Sequence, residues 1–273
     1  MFKTRLISGI ILLAIAAVAF AVGGPLLYGI LLVISLIGLN ELYRAAGVSE
    51  KTVTPLTAVG MAGAVLYYIL VWLGASMYEL PALALVLNIL MAVYVFRWPH
   101  YESRQVMAAF FGIVYVPVML SFIYKTRILN GGAFTVWLIL ICSWGCDTCA
   151  YCVGMLFGKH KMAPVLSPKK SIEGAVGGVV GAGLLGALFG LIAGRFGGIT
   201  AGMRSPIAEY ALICVVGALI SMIGDLAASA IKRNAGIKDY GKLIPGHGGI
   251  LDRFDSVIFT APVIWMLASL LLK

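Results

Sequence analysis

The sequence predicts an all-α, polytopic integral membrane protein, a helical bundle with about nine transmembrane helices, and three observations predict it. Hydrophobic residues fill 62% of the 273 positions, and mean hydropathy is +1.03. Charged residues make up only 11%, where soluble domains carry about a quarter. The charges are also clustered: no Asp, Glu, Lys or Arg occurs in 6–40, 52–78, 80–96, 105–124, 128–146, 174–194, 210–224 or 256–272. About 20 apolar residues carry a helix across the hydrocarbon. Strands of a membrane barrel would be far shorter and would alternate.

The first charge-free run breaks at Gly23-Gly24-Pro25, which reads as a tight turn between spans at 5–22 and 25–42. Met1 to Ala21 also has the basic start, apolar core and Ala-Phe-Ala ending of a cleaved signal peptide. Because the apolar stretch continues into a second pass, a retained first helix is the expected reading. Spans at 56–75, 79–96 and 105–124 follow, with Pro81, Pro117 and many small residues, all ordinary in membrane helices. Residues 1–130 therefore hold five spans with almost no ionisable group at membrane depth, and read as a scaffold. Glu41 lies near a helix end, where a carboxylate can reach interfacial water. Residues 131–273 hold four more spans, at 131–155, 174–194, 207–230 and 256–272, and most of the polar chemistry.

Lys and Arg are retained in the cytosol. With the amino terminus inside, 15 of the 20 basic residues fall in cytosolic segments. The others are Lys125, Arg127, Arg195, Arg204 and Lys273, and the odd span count puts the carboxyl terminus outside. The expected location is the cell inner membrane, with the polar chemistry facing the cytosol. Topology and phosphate chemistry account for the net charge of +9, so nucleic acid is not an expected partner. Cys142, Cys146, Cys149, Cys152 and Cys214 read as small apolar residues packing between helices. A structural zinc site would need a second pair or nearby histidines.

Two acids stand inside apolar surroundings: Asp147, after Cys-Ser-Trp-Gly-Cys, and Asp225, after Ile-Ser-Met-Ile-Gly. A carboxylate there is costly and usually faces a partner, a metal or a water-filled path. Two polar stretches accompany them. The first, Gly158 to Gly174, contains Ser167-Pro-Lys169-Lys170-Ser171, which could be a solvated face or could grip phosphate. The second runs from Gly224 to Ser256. If its start is helical, Asp225, Ser229 and Lys232 share a face. Pro245 and the glycines around His247 make a compact turn, and Asp252 and Asp255 stand three residues apart at the mouth of the last helix. Three carboxylates, Asp225, Asp252 and Asp255, among Lys and Arg are the composition of a Mg²⁺-dependent phosphate-transfer site.

The stretch Ser229-x-Ile231-Lys232-Arg233-x4-Lys238-Asp239-x-Gly241-x2-Ile244-Pro245-x-His247-Gly248-Gly249-Ile250-x-Asp252-Arg253-Phe254-Asp255 resembles the signature of the phosphatidate cytidylyltransferases. Asp147-Thr-x-Ala-Tyr151 and Ser167-Pro-Lys-Lys-Ser-x-Glu-Gly174 also resemble blocks of that family. Ser171 stands where relatives often have Thr, and Ile172 where they often have an aromatic residue.

The resemblance implies transfer of a cytidylyl group from CTP to phosphatidate, giving CDP-diacylglycerol and pyrophosphate, with one or two Mg²⁺ ions and an additional monovalent cation as a further candidate. It implies Asp225, Asp252 and Asp255 as cation ligands, and Asp147 as a fourth ligand or an orienting acid. Lys169, Lys170, Lys232, Arg233, Lys238 and Arg253 are candidates for phosphate contact, and Ser167, Ser171 and Ser229 for hydrogen bonds to phosphate. His247 either locks its turn or touches phosphate. CTP, phosphatidate and membrane lipids are the implied partners, and a homodimer is one assembly such a chain could form. A CTP-using lipid-alcohol kinase would not carry the whole signature. A cation-coupled transporter would favour internal repeats broken at midplane, which this chain lacks.

Overall fold

The computed structural model describes residues 2–49, 53–196, 205–246 and 248–271. Helix α1 (Phe2–Val22) meets α2 (Gly24–Ala45) at the expected turn. Gly23 and Gly24 take φ of 66° and 51° there, a region that glycine enters without steric cost. Helix α3 (Pro55–Trp72) opens with Pro55 and a capping box in which Thr54 and Thr57 satisfy each other's backbone N–H. Helices α4 (Ser76–Phe96), α5 (Ser103–Arg127), α6 (Gly132–Phe157), α7 (Ile172–Arg195), α8 (Pro206–Asn234) and α9 (Leu251–Leu271) complete the order. Among the described residues, α2 to α9 are the eight helices long and apolar enough to cross a membrane; the apolar part of α1, Ile7–Val22, is shorter. Exposed positions such as Leu80 and Phe96 carry large apolar side chains, as a lipid-facing surface requires.

Helices α5 and α6 each contain one π-helical turn, at Val114–Val118 and Ile141–Gly145. The first holds Pro117, which has no N–H to donate and crowds the preceding turn, so a wider turn accommodates it. The second ends directly before Cys146 and Asp147. An extra residue per turn there changes which residues of α6 share a face after it.

The lysine-rich stretch is a hairpin rather than a loop. Strands β1 (Lys161–Ala163) and β2 (Ser167–Ser171) pair antiparallel, Lys161 opposite Ser171 and Ala163 opposite Ser167. The hairpin is closed at its base by Glu173, whose carboxylate accepts the backbone N–H groups of Lys159 and His160 and meets His160 Nδ1 at 2.6 Å.

The chain forms two compact units, Met1–Ser121 with Asn234–Arg253, and Phe122–Arg233 with Phe254–Lys273. In the first, Tyr43 is fully buried and donates its hydroxyl to the Ala109 carbonyl at 2.8 Å. Gly60 and Gly112 leave its ring room: a Cβ at Gly112 would stand 2.7 Å from the ring. In the second, α6 and α7 approach through small residues. A Cβ at Gly177 would lie 2.5 Å from Val153, one at Gly178 3.0 Å from the Cys146 sulfur, and one at Gly181 2.6 Å from Cys149. Cys214 packs likewise on Gly186, and Cys142 on Gly217. These cysteines serve as small apolar side chains, as the sequence suggests; Cys152 is exposed.

Helix α9 starts at Leu251, five residues before the hydrophobic run begins. Backbone N–H groups at its start have carboxylate partners. Ile250 N–H donates to Glu41 Oε1 at 3.1 Å and Leu251 N–H to Glu41 Oε2 at 2.8 Å. Glu41 is only 7% exposed, so the expectation that it reaches interfacial water is wrong. Its charge is satisfied by a helix start 209 residues further along the chain.

Candidate functional site

In the second unit, α6, the hairpin and α8 bring five singled-out residues, Ser171 among them, to one cavity. Asp147 comes from α6, Lys169, Lys170 and Ser171 from β2, and Asp225 from α8; all five line a cavity of about 460 Å³. The π-turn before Cys146 and the pairing of β2 with β1 set where these side chains emerge. Lys170 forms an ion pair with Asp225, each side chain being one-quarter exposed. The remaining walls are largely apolar, from Ala150, Tyr151, Met155, Met162 and Met222. Charged groups in a largely apolar pocket feel one another more strongly than in water.

Asp255, in the first turns of α9, lies within electrostatic reach of Asp225, Lys232 and Asp147. Its Oδ1 accepts the Ser256 N–H at 2.8 Å. Lys232 is 9% exposed, one of the most deeply buried basic side chains described. The expected face of α8 forms as a continuous helix through Asp225, Ser229 and Lys232, with Ser229 buried. Ser171 caps α7, accepting the Gly174 N–H at 3.1 Å. Ser167, Ser229 and the exposed Arg233 line neither this cavity nor the one below.

The first unit contains the rest of the signature. Lys238, Lys242 and Arg253 line a second cavity of about 570 Å³ together with Asp239 and the turn from Gly241 to Gly248. Gly246 and Gly248 take φ of 79° and 86°, so only glycine makes this turn without strain. Ile244 and Gly248 close it through a backbone bridge. His247 lies outside the described residues. Asp252 is buried, and its Oδ2 accepts the N–H groups of Tyr240 at 2.8 Å and Gly249 at 3.0 Å. One of its oxygens therefore ties the turn to α9, a task that its expected role as a cation ligand did not include.

Two residues were missed. Lys242 stands in the quoted stretch but was not singled out. Glu41 was read as an interfacial group, although its place as the one acid in a long uncharged span is a signal that such a group has a partner.

Among the described residues, no three acidic, His or Cys side chains converge in metal-ligating geometry. Asp225 and Asp255, which lie within electrostatic reach of each other, are hard carboxylates. Mg²⁺ is commonly held by one or two carboxylates with substrate phosphates and water completing the shell, so this pair fits such an ion.

Residues 3–271 match the cytidylyltransferase family. A phosphatidate cytidylyltransferase of Staphylococcus epidermidis is 31% identical, the match covering 96% of this chain and 97% of that protein. Proteins of the same name from Staphylococcus haemolyticus and Staphylococcus aureus are each 30% identical over the same shares.

Proposed function

Because this chain belongs to the cytidylyltransferase family, we propose that it transfers the cytidylyl group of CTP to phosphatidate, giving CDP-diacylglycerol and pyrophosphate. The observation that carries the reading is the cavity in which Asp147, Asp225, Lys169 and Lys170 meet apolar walls. Such a site suits a substrate with a phosphate head and a hydrocarbon body. The charge bias, 15 basic residues to 5, supports a cytosolic orientation in the inner membrane, where a soluble nucleotide and a membrane lipid can both arrive.

An oxygen of the phosphatidate phosphate forms a bond to the α-phosphorus of CTP. The bond from that phosphorus to the bridging α–β oxygen breaks, and pyrophosphate leaves with the electron pair. No strong base is required, since a phosphate monoester is largely ionised near neutral pH. Catalysis rests on holding the two phosphates in line and offsetting their charge. Lys169 and Lys170 supply positive charge in the apolar-walled cavity, and Asp147 orients polar groups beside them. Lys238, Lys242 and Arg253 offer the same charge to phosphate at the signature turn. Asp225 and Asp255 would hold Mg²⁺, which supplies charge neutralisation at the reacting phosphates when bound. Asp252, beyond its hold on the turn, is also proposed as a cation ligand.

Purified protein supplied with CTP, Mg²⁺ and phosphatidate should release pyrophosphate, and omission of either substrate should abolish release. Replacing phosphatidate by diacylglycerol or a polyprenol should also give none. Release of CDP with an alcohol lipid would indicate a kinase and overturn the reading.

A further inference from the structure

We propose that Glu41 is a positioning residue for the signature turn, so that a side chain in the amino-terminal helices sets how Lys238, Lys242 and Arg253 meet the nucleotide phosphates. The proposal rests on the cytidylyltransferase reading and adds to it a residue outside the signature. Both Glu41 oxygens are used: one accepts the Ile250 N–H and the other the Leu251 N–H. The turn is built around this carboxylate. A Cβ at Gly249 would stand 2.6 Å from the carboxylate carbon, and one at Gly241 3.0 Å from it. Those two glycines therefore flank the carboxylate at both ends of the turn. Between them lie Lys242 and the glycines of positive φ, and just outside them lie Lys238 and Arg253.

Asp252 binds the same turn through Tyr240 and Gly249. Asp252 and Arg44 are the charged groups within electrostatic reach of Glu41. Two buried carboxylates thus hold four backbone N–H groups of one turn, at Tyr240, Gly249, Ile250 and Leu251. Hydrogen bonds to an ionised acceptor are roughly twice as strong as neutral ones. An amide at position 41 keeps the length but presents an NH₂ group where one of the two N–H donors needs an oxygen.

The test compares Glu41→Gln, Gly249→Ala and the pair Gly249→Ala/Glu41→Asp with the unaltered protein, in detergent with phosphatidate. The readouts are CTP KM, kcat, melting temperature and amide hydrogen exchange across 239–252. Glu41→Gln should raise the CTP KM by roughly tenfold, the scale of one lost charge-assisted hydrogen bond, with faster exchange confined to the turn. Gly249→Ala should show the same signature, and shortening residue 41 to Asp should bring the pair back towards the unaltered KM, because it withdraws the carboxylate from the new methyl. An unchanged KM and unchanged exchange in Glu41→Gln overturns the proposal, as does a lowered melting temperature with normal KM. No rescue in the pair also counts against it. If the unaltered protein releases no pyrophosphate, the proposed reaction fails while the exchange readout still decides what Glu41 does to the turn.

Discussion

Asp255→Asn and Asp225→Asn should each lower kcat with CTP and phosphatidate by about 10²–10⁴-fold, a range typical of removing a placed charge from a phosphoryl-transfer site. Asp255 lies within electrostatic reach of Asp225, Asp147 and Lys232. Like charges repel, and a pair of them persists only if a cation or ammonium group offsets the repulsion. Replacing Asp255 by its amide relieves repulsion, so its melting temperature should hold or rise while turnover collapses; Asp225→Asn also breaks the ion pair with Lys170 and should melt slightly lower with the same collapse of turnover. Raising Mg²⁺, or substituting Mn²⁺, should recover part of the activity where weakened cation binding is the main defect. A structural acid would behave in the opposite way, with a lower melting temperature and near-normal turnover per folded molecule.

Lys170→Met should have the next largest effect, lowering kcat/KM by about 100-fold through loss of a positive charge at the reacting phosphates. It also leaves Asp225 without its ion-pair partner. The pair is one-quarter exposed on each side, so water screens it partly, and a stability loss of about 1–2 kcal/mol is expected, below that for a fully buried pair. Adding Asp225→Asn to Lys170→Met should restore most of that stability and none of the activity. Lys170→Arg should keep the stability and a larger share of turnover than Met does. Thermal melts and steady-state kinetics on these proteins, with Asp225→Asn alone to complete the cycle, check this; equal stability losses from Lys170→Met with and without Asp225→Asn would show that the ion pair contributes nothing.

The spans were legible because a membrane helix is written as a long uncharged run, and chain order alone reveals it. The turn at Gly23-Gly24 was legible for a similarly local reason. The start of α9 was legible only in part. The spacing of Asp252 and Asp255 puts them at the mouth of the last helix, but nothing in chain order shows that Glu41, far away in the chain, accepts the N–H groups that the helix start leaves open. The hairpin was also hidden, since Ser167-Pro-Lys-Lys-Ser has little of the alternation that marks a strand. Its geometry comes from Glu173 and the β1 pairing. The π-turn before Asp147 leaves no mark in Ile-Cys-Ser-Trp-Gly. Of the candidate site, Asp147 and Asp225 were singled out by charge in apolar surroundings, Lys169 and Lys170 by their place in a polar stretch able to grip phosphate, and the four do share a cavity. Asp252 was singled out for its charge, but the N–H groups it holds follow from the folded turn and could not be read in advance.

The central claim is transfer of the α-phosphorus of CTP to a lipid phosphate, and positional labelling tests it most directly. The full chain, reconstituted in vesicles containing phosphatidate, would be given Mg²⁺ and CTP carrying ³²P at either the α or the γ position, followed by lipid extraction. The account predicts α-label in the lipid product and γ-label in the released pyrophosphate. Label entering the lipid from the γ position, with the α-label left on CDP, would contradict it.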